Sequence, residues 1–103
     1  MRDARITALK AMLDADPMDP FALYGLALEY KVAGELELAL PLLKAAVSVE
    51  EPAVYAYYQL GEVLIGLGET DEAEDALNLG IQRAHQTNDQ KAAHELAALL
   101  DTL

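Results

Sequence analysis

The chain predicts an all-α fold of antiparallel helix pairs, about six helices in all, and three observations predict it. Leu23, Leu26, Ala27 and Tyr30 fall at the i, i+3, i+4, i+7 spacing of one helical face, and Ala39, Leu43, Ala46 and Val47 do nearly the same after Gly34. The succession returns 34 residues later as Tyr57, Leu60, Gly61 and Leu64, then Gly68, then Ala73, Leu77, Gly80 and Ile81. Between the periodic stretches stand residues that stop helices. A fixed period in this range is the signature of stacked supersecondary units, each too small to bury its apolar face alone.

The first periodic segment covers residues 5–16, with Ile6, Leu9, Met12 and Leu13 on one face. Adding 34 to Leu9, Met12 and Leu13 gives Leu43, Ala46 and Val47, so this opening helix is in register with the second helix of a pair and counts as a half-repeat. Asp16-Pro17 ends it, because proline restrains the residue before it and cannot continue the hydrogen-bond ladder. Asp19 then caps a new helix, with Pro20 at its first position, where a missing N–H is harmless. That helix runs to about residue 33, and Gly34 supplies the left-handed conformation that closes it.

The next helix is expected over residues 36–49, with Pro41 near its first turn causing a mild distortion and no break. Glu50-Glu51-Pro52 closes it. Residues 54–67 form the first helix of the second pair, Gly68 terminates it, and residues 70–86 form the second. Thr70 or Asp71 is placed to cap that helix, and Asp71, Glu72, Glu74 and Asp75 put negative charge where the backbone dipole is positive. Their spacing is not that of a calcium loop, which needs a central glycine. After Thr87-Asn88-Asp89 a closing helix spans residues 90–102, with Ala93, Leu96, Ala97 and Leu100 at helical spacing. Its register slips by two residues, as suits a terminal capping helix. The expected organisation is one domain over residues 1–103: a half-repeat helix at 1–17, repeats at 20–53 and 54–87, and a capping helix at 90–103.

Small residues mark where helices meet. Gly61 and Gly80 each cost about 1 kcal/mol in a helix interior relative to alanine, so close approach of a neighbouring helix has to offset them. Ala27 and Gly61 in the first helices, with Ala39 and Ala73 in the second, are the expected crossing points, and a larger side chain there would force the pair apart.

Composition narrows function. Hydrophobic residues make up 53% of the 103, with no Cys and no Trp, so the core is apolar packing without disulfide or thiolate–metal chemistry. Eighteen acidic against seven basic residues give a net charge of −11. That field repels phosphate backbones and anionic lipid, so neither nucleic acid nor membrane is an expected partner. The acid excess serves solubility, reflects a salty cytoplasm, or steers a basic partner. Residues 1–15 are interrupted by Arg2, Asp3, Arg5, Lys10 and Asp14, which is neither a secretory leader nor a membrane span, and a cytoplasmic protein is expected.

The residue pattern resembles the tetratricopeptide repeat family. The family's succession of large residue, Leu, small residue, aromatic or Leu, then Gly, then Ala, large and small is carried by Leu23, Leu26, Ala27, Tyr30, Gly34, Ala39, Leu43 and Ala46. Tyr57, Leu60, Gly61, Leu64, Gly68, Ala73, Leu77 and Gly80 carry it again. The resemblance covers Leu9 to about Ile81 in register. It departs at Glu51-Pro52, where the usual Asp-Pro is shifted by one residue, and at Leu23, where an aromatic is commoner.

The resemblance implies a right-handed α-solenoid whose first helices line a concave groove that holds a peptide or a partner helix. Residues of that groove would be Phe21, Tyr24, Leu28 and Lys31, then Tyr55, Tyr58, Glu62 and Ile65, with Lys91, His94 and Ala98 from the closing helix. Tyr24 and Tyr58, one repeat apart, offer rigid area with a hydroxyl, although the same rings are equally placed to cover apolar surface between helices. The family's clamp for acidic C-termini uses Lys, Arg and Asn. Tyr24, Leu28 and Gln59 stand in those places, so the expected partner is a protein or peptide of neutral to basic character, and a chaperone-tail adaptor is not expected.

No catalytic residue, cofactor or metal site is expected. His85 and His94 lie on different helices, no phosphate-cradling loop or nucleophile elbow is present, and no carboxylate pair is singled out by an apolar setting. The alternative function is self-association. Ala92, Leu99 and Leu103 form a second apolar stripe on the closing helix, a candidate homodimer face, although a wide buried face with fraying at its end accounts for the same pattern.

Overall fold

A computed structural model describes residues 2–103; Met1, part of the expected half-repeat, lies outside the described residues. Six α-helices and no strand occur among them: α1 (Arg2–Ala15), α2 (Pro20–Val32), α3 (Leu36–Ala46), α4 (Val54–Gly66), α5 (Thr70–Gln86) and α6 (Gln90–Leu100). The chain divides into two compact units, one ending at Pro52 and one covering Ala53–Leu103. In the first, α1 packs on α2 and α2 on α3; in the second, α4 packs on α5, α5 on α6, and α4 touches α6.

Helix starts follow from local chemistry. Asp19 Oδ1 accepts from the N–H groups of Phe21 at 3.0 Å and Ala22 at 3.2 Å, with Pro20 next to it at the first helical position. Asp89 caps α6 by accepting from the Ala92 N–H at 3.0 Å. The start of α5 differs from expectation. Its cap is Glu69, which makes no side-chain capping bond, and Thr70 and Asp71 already lie inside the helix. The cluster of acidic residues in its first turn remains well placed against the helix dipole.

Helix ends are closed by one repeated device. Gly34 and Gly68 both have φ +78°, and Asn88 has φ 56°. The N–H of each bonds back to a carbonyl three residues earlier: Lys31 at 3.0 Å, Ile65 at 3.0 Å and His85 at 3.2 Å. The following residue, Glu35, Glu69 or Asp89, bonds to the carbonyl five back, Tyr30 at 2.9 Å, Leu64 at 2.9 Å or Ala84 at 2.8 Å. This pairing is the Schellman motif, which satisfies carbonyls the helix leaves open.

Two boundaries move by three residues, and α6 ends at Leu100, two before the expected 102. α1 begins at Arg2, ahead of the first apolar-periodic residue, because a polar first turn leaves no hydrophobic signal to read. α3 stops at Ala46, three residues before the expected end. There the Ser48 hydroxyl donates to the Ala45 carbonyl at 2.7 Å and its N–H reaches the same oxygen at 3.0 Å, a local turn that competes with the helix. Pro41 is the sixth residue of α3, beyond the first turn, and the helix continues through it. The carbonyl it orphans belongs to exposed Glu37, which water reaches.

Each unit has its own apolar cluster. Leu9, Ala22 and Leu26 are buried in the first, with Ile6, Met12, Leu13, Tyr30 and Leu42 against them. In the second, Val54, Leu77, Ala84, Ala92, Ala93 and Leu96 are buried, flanked by Tyr55, Tyr57, Tyr58, Ile81, Leu99 and Leu100. No polar or charged side chain is buried among the described residues. The glycines behave as the crossing argument requires. A Cβ added at Gly61 would lie 2.8 Å from Leu77 Cγ and closer still to Cδ2, and one at Gly80 would lie 2.6 Å from Tyr57 Cβ. Two ion pairs, Arg5–Glu29 at 2.8 Å and Arg2–Glu35 at 3.3 Å, tie α1 to the α2–α3 hairpin, and exposed pairs of this kind add little stability.

Candidate functional site

The α4 helix places Tyr55, Tyr58, Glu62 and Ile65 on one stripe by their spacing of three, four and three residues, and all four are half-buried. Its other faces carry the buried Ala56, Leu60, Val63 and Leu64. The stripe is therefore carried by a helix whose other faces are committed to packing.

Tyr55 and Tyr58 meet edge to face, with ring centroids 6.4 Å apart and planes at 64°. Both rings lean on the apolar cluster of the second unit. The Tyr55 hydroxyl donates to Glu95 Oε1 on α6 at 3.2 Å, joining residues 40 apart in sequence. Partial burial, then the negative charges of Glu62 and Glu95, hold the Tyr58 phenol above the ordinary tyrosine value. Two aromatic rings and two carboxylates thus share one neighbourhood.

The closing helix also contributes a residue that is not among those expected. Lys91, His94 and Ala98 are exposed, and it is Glu95 that meets the tyrosines. One residue along a helix turns the side chain by about 100°, so His94 and Glu95 face different ways. A signal for Glu95 did exist. The onset of α4 at Val54 and of α6 at Gln90 differ by 36 residues, and that offset carries Gln59, one of the clamp positions, onto Glu95.

In the first unit, the matching stripe of α2 carries Phe21, Tyr24, Leu28 and Lys31. Phe21 is 64% exposed, and the other three are half-buried. The candidate homodimer face does not form a free stripe: Ala92 is completely buried in the second unit's cluster and Leu99 packs against that cluster, which leaves Leu103 exposed. The apolar width of α6 is core. Among the described residues no helix is long and apolar enough to cross a membrane, and no group of three or more His, Asp or Glu side chains is arranged to hold a metal ion.

A family model described as Tetratricopeptide repeat matches residues 32–100, more than half of the sequence. The chain belongs to the tetratricopeptide repeat family. Its all-α, helical-repeat fold is also that of a solved solution structure, protein BPP2914 from Bordetella parapertussis. The two are 28% identical with a TM-score of 0.78, over 94% of this chain and 84% of that one. No curated protein matches the sequence. Tetratricopeptide repeats generally mediate protein–protein interaction and are generally non-catalytic modules.

Proposed function

We propose that this tetratricopeptide repeat protein is a non-catalytic interaction module that holds a peptide or partner helix against the stripes of its first helices. In the second unit the contact surface is Tyr55, Tyr58, Glu62 and Ile65 with Glu95 beside them. In the first it is Phe21, Tyr24, Leu28 and Lys31. The partner is neutral to basic, since the chain carries 18 acidic and seven basic residues and like charge across an interface is unfavourable. The observation that carries the reading is the Tyr55–Tyr58 pair: two large side chains kept half-exposed on a helix whose Ala56, Leu60, Val63 and Leu64 are buried. Tyrosine supplies contact area and a hydroxyl with little conformational freedom to lose, which suits it to gripping an extended chain.

The test is capture on an array of unrelated peptides, comparing the wild type with Tyr24→Ala/Tyr58→Ala. Wild type should retain a subset enriched in neutral and basic sequences, and the double variant should lose that subset with its helical circular dichroism unchanged. Recovery of the same peptides by both proteins would place binding elsewhere.

A further inference from the structure

Glu95 is half-buried, and its hydrogen-bond partner is a neutral hydroxyl, that of Tyr55 at 3.2 Å. Among the described residues no Lys, Arg or His nitrogen pairs with it. Lys91, one helical turn earlier on α6, is exposed and makes no ion pair with it, and the pairs Arg5–Glu29 and Arg2–Glu35 lie in the first unit. A carboxylate can accept about four hydrogen bonds, so Glu95 keeps acceptor capacity after serving Tyr55. Beside it stand the two tyrosine rings, tilted at 64° to each other and so presenting faces in two directions. The residues from Ala53 onward include nine acidic side chains and two basic ones, so the surrounding field is negative as well. Glu62 adds to it: that charge and the charge of Glu95 both act on the Tyr58 phenol.

We infer that the α4–α6 face is a docking surface for an arginine side chain of the partner, the guanidinium lying on a tyrosine ring and directing its N–H groups to the Glu95 carboxylate. Charge complementarity selects a cation, and the aromatic pair selects the planar one. Arginine stacks on aromatic faces and matches a carboxylate with a fixed fork of donors, whereas the lysine ammonium is compact and holds its water more strongly. The inference rests on the α4 stripe being the contact surface, and it names what that surface reads.

The probe is N-acetyl-arginine amide, titrated into the whole chain while the ring signals of Tyr55 and Tyr58 are followed by NMR. N-acetyl-citrulline amide, of the same shape without the charge, and N-acetyl-lysine amide are run alongside. Arginine amide should shift both rings in a saturable way, lysine amide less, and citrulline amide not at all. Glu95→Gln keeps an oxygen for the Tyr55 hydroxyl and removes the charge; it should weaken arginine amide about tenfold, as loss of a charge-assisted hydrogen bond does. Equal shifts from citrulline amide, no shift from arginine amide, or an unchanged affinity in Glu95→Gln would each overturn the inference. The broader reading fails separately: peptides captured on the array through Tyr58 but indifferent to Glu95→Gln would leave the interaction face standing and remove arginine from it.

Discussion

Replacing Gly61 by alanine puts two opposing effects on one atom. In a helix interior alanine is favoured over glycine by about 1 kcal/mol. The new methyl, however, would sit 2.8 Å from Leu77 Cγ, 3.4 Å from Cδ1 and closer than either to Cδ2. Cγ is not the free end of a side chain, and Leu77 is completely buried, so the ring of neighbours has little room to yield. Overpacking of this kind costs about 1 to 3 kcal/mol. The net is a loss of about 1 kcal/mol, which for a chain of this size lowers the thermal midpoint by about 4 to 8 °C. Gly61→Leu should lie at or beyond the top of the overpacking range, with a correspondingly larger drop. Leu77→Ala removes all three obstructing atoms and costs about 2 to 5 kcal/mol on its own. In that background Gly61→Ala should become stabilising by about 1 kcal/mol, a reversal of sign that reports direct coupling between the two positions. The assay is thermal and urea unfolding followed by circular dichroism on the four members of the cycle. If Gly61→Ala raises the midpoint in the wild-type background, α4 and α5 do not cross at Gly61 as tightly as their packing requires. If the sign is the same in both backgrounds, Leu77 is not the obstacle.

Further outcomes concern a helix cap and the Tyr58 phenol. Asp19→Ala removes an oxygen that serves two backbone N–H groups and should cost about 0.5 to 2 kcal/mol, whereas Glu69→Ala, at a cap without a side-chain bond, should be close to neutral in the same unfolding assay. Tyr58 should ionise above the ordinary tyrosine value in an ultraviolet difference titration of wild type against Tyr58→Phe, because partial burial and then Glu62 and Glu95 raise it above 10.0. Since the folded state then holds the phenolic proton more tightly than the unfolded one, the associated stability is complete below pH 10 and disappears as pH climbs through the folded value. Tyr58→Phe should flatten the fall in stability over that alkaline window, and Glu95→Gln should move the Tyr58 titration back toward the ordinary range; an unmoved titration would separate Glu95 from Tyr58.

What was legible in the sequence was whatever depends on residues near one another in the chain. Asp19-Pro20, Gly34 and Gly68 mark helix ends because a cap, a fixed φ and a positive φ are local requirements, and the structure has each of them in place. The 34-residue beat of Leu9, Leu43 and Leu77 was legible for the same reason, and all three are buried. Boundaries set by competition were not. The early stop of α3 depends on whether the Ser48 hydroxyl outbids the helix for the Ala45 carbonyl, and nothing in apolar periodicity registers that contest. The site was only half legible. Tyr55 and Tyr58 are visible as a stripe, whereas the bond from Tyr55 to Glu95 on α6 depends on a rotation of one residue that apolar periodicity does not register. Ala92 shows the opposite failure. A small apolar residue carries too weak a signal to say which side of a helix is inside, and its complete burial is decided by the packing of α5 and α4 around α6.

The three joints after α2, α4 and α5 share one pair of main-chain bonds, with lengths that agree to within a few tenths of an ångström, and only at the last does a side chain, the Thr87 hydroxyl, also reach the closing carbonyls. A splice made at such a joint carries its own fastening with it, whatever side chains lie on either flank. Duplicating a 34-residue segment from one joint to the equivalent point of the next would hand the copy a working corner at both ends, so the chain holds within itself the means of growing longer without inventing a new bend.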